Sequence, residues 1–351
     1  MKKANNFEWD RFSDQPKVLT KEFKHNLRRG SLWSQLKMIL SFFLLSPLLF
    51  VLSIFIKQKI KKRPKDFYGL CVNMDKGDTQ YKLVDDLGVV SIQIRVFLRD
   101  IQNIDDYVKF ANGFKNKKIL INIIQDSTHI KDSEKLKQSI TIVFKKFQNI
   151  TNEFMIGNAI NRIKWEFVTP DEYLRFYKTI YDIKEKNFSS IYLVGSSVID
   201  FEYHWTIRTL YNGFKIRYDI VSALLYVDRR GAPQNKQMFI FNLSNKIKFL
   251  CSIAKFSRKT KNNIYITETN WPLSGTSPWA PTSEKECVNI DNYTKYMVDY
   301  FDISSRYLMI KKVFWHQLIA AGYGLVDDRD GKLIKTKAYD KFKDMVSGGH
   351  D

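Results

Sequence analysis

The sequence predicts an α/β fold in which eight parallel strands alternate with helices and close into a (β/α)₈, or TIM, barrel. Eight short apolar runs are the strand candidates, at residues 67–74, 89–98, 118–124, 153–158, 190–201, 220–227, 263–269 and 313–320. Stretches with apolar residues at three- and four-residue spacing separate them, which is typical of amphipathic helices. The region 67–351 has the length that eight strand-helix repeats need. A doubly wound sheet is the alternative, but no glycine-rich dinucleotide fingerprint follows the first strand.

One helix start is marked by its own residues. In VTPDEYLRFYKTIYDI, Thr169 suits the N-cap, Pro170 suits the first helical position, and Glu172 stands three residues after the threonine. This capping box predicts a helix from Pro170 and a strand-to-helix loop over residues 158–169.

The N-terminal part of the chain predicts attachment to a membrane. Residues 1–37 and the linker 57–66 are basic, and between them residues 38–56 are 19 consecutive uncharged residues, enough to insert in a bilayer as one helix. Up to residue 66 there are 15 Lys and Arg against 5 Asp and Glu, so half of the net charge of +20 lies there. A signal peptide is disfavoured because no small-residue cleavage site follows. We expect membrane lipids to contact residues 38–65.

The orientation of this segment stays open between two arrangements. Both flanks are basic, so by the positive-inside rule both prefer the cytoplasm, and Ser46-Pro47 in the middle favours a kink. LLSPLLFVLSIFIK resembles the re-entrant membrane helix of monotopic phosphoglycosyl transferases, which would leave the barrel in the cytoplasm of a bacterium, at its inner membrane. A single span with the barrel in the periplasm is the alternative.

Several other classes of protein are disfavoured. No zinc-finger spacing, aromatic RNA-binding signature or basic heptad helix indicates nucleic-acid binding. The three cysteines, Cys71, Cys251 and Cys287, are widely spaced and contain no CxxC pair. We therefore expect no disulfide framework, no metal site and no cofactor.

Polar and aromatic residues collect where the predicted strands end. In a barrel the carboxyl ends of all strands meet at one mouth, where the chemistry of such folds is carried out. Flat aromatic faces suit sugar rings, and carboxylates with arginines suit their hydroxyl groups. Glu268 is the strongest candidate for a catalytic residue, because it follows the apolar strand NIYIT and precedes an aromatic loop. The residues predicted to line the mouth are Arg95, Asn158, Glu202, His204, Tyr226, Arg230, Glu268, Trp271 and Trp315.

Three of these strand ends carry a resemblance. IGNAIN, ITETNWP and FWHQL, in this order, resemble the active-site pattern of clan-A retaining glycoside hydrolases. The organisation is similar to families 39 and 5, and to a branch found among bacterial cell-envelope polysaccharide genes, over most of residues 67–340. The resemblance implies that Glu268 is the nucleophile and that Asn158 holds the sugar 2-hydroxyl. It further implies that Arg95 and Tyr226 keep the nucleophile ionised and that Trp315 lies under the sugar.

The family's acid/base glutamate maps onto Ala159. A retaining mechanism uses two carboxyl groups about 5 Å apart, and loss of the proton donor costs roughly 10²–10⁴ in rate. Three interpretations stay open: glutamate was replaced by alanine in this chain, the protein is a natural pseudoenzyme, or Glu202 or Asp200 supplies the proton.

The expected function is hydrolysis of a cell-envelope glycan with Glu268 as nucleophile. The candidate substrates are lipopolysaccharide, a lipid-linked saccharide or an exopolysaccharide. The alternative is an inactive glycan-binding protein or a scaffold subunit of an envelope polysaccharide assembly. A protein partner in such an assembly is left open.

Overall fold

Eight parallel strands close into a barrel in the computed structural model, which describes residues 4, 6–59, 63–227 and 231–348. The strands follow one another around the barrel in chain order, and the last pairs with the first, which confirms the predicted fold class. All eight predicted strands are present, and the last begins three residues earlier than predicted. Their bounds are β3 Tyr68–Val72, β4 Ser91–Phe97, β5 Lys118–Ile124, β6 Glu153–Ile156, β7 Tyr192–Ile199, β8 Ile220–Leu224, β9 Ile264–Thr269 and β10 Ile310–Trp315.

Two short hairpins lie outside the barrel, β1 Trp9–Asp10 with β2 Gln15–Pro16, and β11 Val326–Asp327 with β12 Ile334–Lys335. The capping box is confirmed, since Glu172 N donates to Thr169 Oγ1 and the Glu172 carboxylate accepts from Thr169 N. The helices are α1 Lys21–Arg29, α2 Leu32–Ser53, α3 Thr79–Asp86, α4 Ile104–Asn112, α5 Ser127–Lys131, α6 Ser133–Phe147, α7 Pro170–Asn187, α8 Tyr203–Leu210, α9 Leu243–Lys255, α10 Ile290–Ser305 and α11 Lys337–Ser347.

Side-chain alternation along the strands sorts residues between two apolar layers. In β4, Ile92 and Ile94 pack into the layer between the barrel and its helices, because neighbouring residues of a strand point to opposite faces. Gln93 and Arg95 therefore point inward. Inside the barrel, Gln93 Nε2 lies 3.4 Å from the Sγ of Cys71. This register places Arg95 one layer higher, at the mouth.

The apolar helix α2 lies along the flank of the barrel, against α7, α8 and α9. One face packs on the barrel: Leu49 is buried, and its carbonyl accepts the hydroxyl hydrogen of Ser252 on α9 at 2.7 Å. The opposite face is apolar and exposed, with Leu36, Leu40, Phe43, Leu44 and Leu48 at helical spacing. At 22 residues, α2 is about 33 Å long, and it is long and apolar enough to cross a membrane.

The chain beyond α2 is tied to the barrel as well. Lys59 N donates to Arg306 O at 2.8 Å, and the guanidinium of Arg63 donates to the carbonyls of Ser305 and Tyr307. The chain after α2 is therefore held on the barrel, as is α2 itself through its packing on α8 and α9.

Candidate active site

Glu268 occupies the carboxyl end of β9, and its side chain lines a cavity of about 220 Å³ at the barrel mouth. Tyr226, two residues beyond β8, donates its hydroxyl hydrogen to Glu268 Oε1 at 2.7 Å. A hydrogen bond to an ionised carboxylate is roughly twice as strong as one between neutral groups. The phenol therefore favours the charged form of Glu268 and fixes the direction of its carboxylate.

Arg95 supplies a buried positive charge to the same cavity. Its Nη2 lies 3.0 Å from Asp14 Oδ2 and 3.2 Å from His316 Nε2. Burial alone would lower the pKa of Arg95, but the negative charges of Asp14 and Glu268 raise the pKa above its ordinary value. Arg95 therefore stays charged and stabilises an ionised carboxylate at Glu268.

Cys71 lies inside the barrel close to this carboxylate. Burial raises the pKa of the Cys71 thiol, and the negative charge of Glu268 raises it further. The thiol is therefore neutral, and a neutral thiol is a poor nucleophile.

The corner Gly157-Asn158-Ala159 is built on left-handed backbone, with φ of 79° at Gly157 and 44° at Ala159. This conformation costs an alanine about 1–2 kcal/mol. Gln125 holds the corner, since its Oε1 accepts from Asn158 N and its Nε2 donates to Asn158 O, both at 2.9 Å. Asn122 Nδ2 lies 3.3 Å from Asn158 Oδ1. The turn brings both Asn158 and Ala159 to the wall of the cavity.

Five of the predicted residues meet in this one cavity: Arg95, Asn158, Ala159, Tyr226 and Glu268. The cavity is also lined by residues that were not predicted as site residues, among them Asp14, Trp165, Asn270, His316 and Tyr323. Asn270 and His316 stand inside the motifs ITETNWP and FWHQL. Counting the strand alternation through those motifs would have found His316.

Trp315 and Trp271 do not line the cavity, which corrects the prediction that they contact the sugar. Phe314 points into the barrel, so the next residue of β10 points outward to the helix layer. Trp315 Nε1 donates to the Tyr293 hydroxyl of α10 at 2.9 Å, and its ring stacks on Trp271 with centroids 5.9 Å apart. Both tryptophans are fully buried, and they stabilise the barrel wall from behind.

Glu202 and His204 lie beside the cavity and not in it, which corrects a second part of the prediction. Glu202 forms an ion pair with Arg162, which is also paired with Asp200. Asp200 and Arg162 do line the cavity of Glu268. His204, on α8, packs edge-on against Phe42 of α2. Arg230, the remaining predicted residue, is outside the described residues.

The N-terminal segment before α1 covers the mouth of the barrel. Asp14 Oδ2 accepts from Arg95 and from Asn73 Nδ2, at 3.0 and 2.9 Å. Gln15 bridges the opening, as its Nε2 donates to Pro281 O at 3.1 Å and its Oε1 accepts from Lys164. Trp9 packs edge-on against Phe97 and Trp165. This segment limits the cavity to its present volume.

The described residues contain three carboxylate side chains in the cavity lining, those of Glu268, Asp200 and Asp14. Asp14 is committed to Arg95, and Asp200 to Arg162. Glu268 accepts a hydrogen bond from the phenol of Tyr226. Such a carboxylate, ionised and oriented beside a buried cation, can attack an electrophilic carbon. Within the described part of the chain, no group of three or more His, Cys, Asp or Glu could hold a metal ion.

Solved structures with the same barrel include sugar-cleaving enzymes. A family 1 β-glucosidase from Thermotoga maritima has a TM-score of 0.61 and 11% identity, over 83% of this chain and 100% of that one. A GH39 β-xylosidase from Caulobacter crescentus has a TM-score of 0.59 and 12% identity, over 83% of this chain and 74% of that one. Virulence factor SghA from Agrobacterium tumefaciens has a TM-score of 0.58 and 10% identity, over 81% of this chain and 97% of that one. Neither a family model nor a curated relative matches the sequence. At these identities the likeness establishes the fold, a TIM barrel shared with glycosidases.

Proposed function

We propose that the barrel is a glycosidase-type site in which Glu268 is the nucleophile. The observation that carries this proposal is the joint position of Glu268, Tyr226 and Arg95 at one barrel mouth. The phenol and the guanidinium both favour an ionised carboxylate, which is the form that attacks an anomeric carbon. Asn158 on the same wall suits a sugar 2-hydroxyl. The fold shared with a β-glucosidase and a β-xylosidase supports this proposal.

In this chain the site is proposed to bind a glycan and to cleave ordinary glycosides slowly. Ala159 stands at the position of the proton donor, and a methyl group cannot protonate a leaving oxygen. Asp200 lines the cavity, but its carboxylate is engaged by Arg162. Glu202 is paired with the same arginine and does not line the cavity. Asp200 is therefore the better placed of the two substitutes.

We further propose that the protein works at a membrane, with a glycan of the bacterial cell envelope as ligand. Support comes from the exposed apolar face of α2 and the basic residues on either side of it. Because α2 packs along the barrel, we favour attachment of its outer face to one leaflet over a separate span. Such an arrangement holds the barrel at the inner membrane, next to lipid-linked material.

The enzymatic proposal is tested with aryl glycosides that leave without protonation. A 2,4-dinitrophenyl β-glucoside or β-xyloside needs no acid, so the Glu268 carboxylate displaces the phenolate and forms a glycosyl ester. With Ala159 in place no side chain activates water at that position, and we expect the ester to accumulate and add one sugar to the intact mass. Azide needs no general base and should speed turnover. Glu268→Gln is the control, and it should form no adduct.

Restoring the carboxyl group is the companion experiment. Ala159→Glu should raise hydrolysis of unactivated aryl glycosides by about 10²–10⁴, the usual contribution of general acid–base catalysis. An inactive, folded Ala159→Glu protein would contradict the assignment of position 159.

The competing function is a glycan-binding pseudoenzyme, favoured by the alanine at position 159. Oligosaccharide binding without any adduct from the aryl glycoside panel would establish that function in place of the enzymatic one.

A further inference from the structure

A second cavity, larger than that of Glu268, lies between α2 and the barrel. Its volume is about 770 Å³, within the range of small-molecule sites. Apolar side chains form much of its wall, and polar residues such as Arg28, Gln35 and Gln237 also line it. The apolar residues include Met38 and Phe42 of α2, Trp205 of α8, Phe241 of the loop before α9 and Phe249 of α9. We call this cavity the α2 groove.

One end of the α2 groove adjoins the cavity of Glu268. Arg162 lines both, and Asn161 and Glu202 line the groove beside it. The guanidinium is matched by two carboxylates, so this end offers hydrogen-bonding groups without excess positive charge. Such a junction suits sugar hydroxyls.

The other end of the groove reaches the apolar surface of the protein. Met238 lines the groove, and Met238, Phe239 and Ile240 are exposed in the loop before α9. Phe241, next in the chain, packs against Phe50 of α2. The exposed face of α2 therefore continues into this loop. An unbroken apolar surface beside a helix of membrane-spanning composition is suited to a bilayer, from which a hydrocarbon chain can enter the groove.

We propose that the α2 groove binds the hydrocarbon chain of a lipid-linked saccharide whose sugar end enters the cavity of Glu268. The groove passes from apolar walls to polar groups and then to the candidate nucleophile, and an amphiphilic glycolipid has the same order of chemistry. This assignment rests on the proposed function and adds the lipid to it. It also explains why an apolar helix is packed on the barrel beside the mouth.

Photo-crosslinking of the full chain tests the assignment. The protein is placed in nanodiscs of phosphatidylethanolamine and phosphatidylglycerol with dodecyl β-D-glucoside or β-D-xyloside that carries a diazirine at the chain end. We expect adducts on Trp205, Phe241 and Phe249, which face the groove, and unlabelled dodecyl glycoside should suppress them. Adducts confined to Phe43, Leu44 and Phe239, which are exposed outside the groove, would overturn the proposal. Equal labelling by a diazirine dodecanol without sugar would overturn the saccharide part.

Two neighbouring residues of α2 provide matched variants. Met38 lines the groove, whereas Ile39, about 100° further round α2, is exposed and does not line it. Met38→Trp should fill the groove and reduce the adduct on Phe241 at least tenfold, and Ile39→Trp should leave it within twofold. Equal effects of the two variants would overturn the proposal. Because the readout is a crosslink, its failure is distinguishable from failure at Glu268, which is read by the glycosyl-enzyme mass.

Discussion

The ion pair between Asp14 and Arg95 holds the N-terminal segment in the barrel mouth, and Asp14→Ala measures how strongly. The two side chains are 20% and 5% exposed, so the pair is largely removed from water. Removal of one partner from such a pair costs about 3–5 kcal/mol, because a charge is left buried without its counter-ion. Glu268 also interacts favourably with Arg95 and compensates part of the loss. We therefore expect a cost of roughly 2–3 kcal/mol.

This loss should fall on the docking of the segment and leave the barrel intact, since the barrel strands have their own ladders. Hydrogen exchange of the Lys17 amide, which bonds Glu8 O across the hairpin at 2.8 Å, reports the docking. A cost of about 2–3 kcal/mol corresponds to roughly 30- to 150-fold faster exchange. Amides of the barrel, such as Val221, should exchange at the wild-type rate.

Glu8→Ala is the matched control in the same hairpin. The side chains of Glu8 and Lys17 in this ion pair are 44% and 31% exposed, and surface pairs of this kind contribute little because solvent screens them. Lys17 should then exchange less than about fivefold faster. Equal acceleration by the two variants, or acceleration of the barrel amides to the same extent, would refute the reasoning.

Three further predictions concern stability and attachment. Thr169→Ala removes the cap of α7 and should lower the free energy of unfolding by about 1 kcal/mol in urea titrations, whereas Thr179→Ala, at a half-buried position inside the same helix, should change it little. Burial lowers the pKa of His204 below 6.5. The neutral imidazole therefore contributes fully to stability above pH 6.5, and this contribution is lost as the pH falls toward the pKa of His204 in the folded state. His204→Gln should reduce the change of the urea midpoint between pH 7 and pH 5. Leu44→Gln, on the exposed face of α2, should weaken vesicle binding about tenfold or more at unchanged stability, whereas half-buried Leu45→Gln should lower stability.

The elements were predictable because their signals are local. Eight apolar runs, their helical spacers and the capping box at Thr169 each lie within a few neighbouring residues. The grouping of Arg95, Asn158, Tyr226 and Glu268 was predictable for a different reason, since parallel strands in a barrel must end at one mouth.

The errors have a common cause, the direction in which a side chain points. Trp315 ends a strand, as predicted, but a shift of one residue moves a side chain to the opposite face of the sheet. The aromatic ring therefore lies behind the barrel wall, and His316 takes the place inside. Glu202 and His204 follow the bend after β7, where no strand alternation exists to predict their direction.

By itself the sequence determined the barrel, the position of Glu268 at its mouth and an apolar helix before it, because periodicity and strand order need no long-range contact. Only the tertiary structure decided that Asp14 pairs with Arg95, 81 residues away, and that α2 lies against α8 and α9. Both depend on which surfaces meet once the chain has closed. Burial of charge and of apolar area decides which distant residues meet. Such a contact leaves no pattern among neighbouring residues of the sequence.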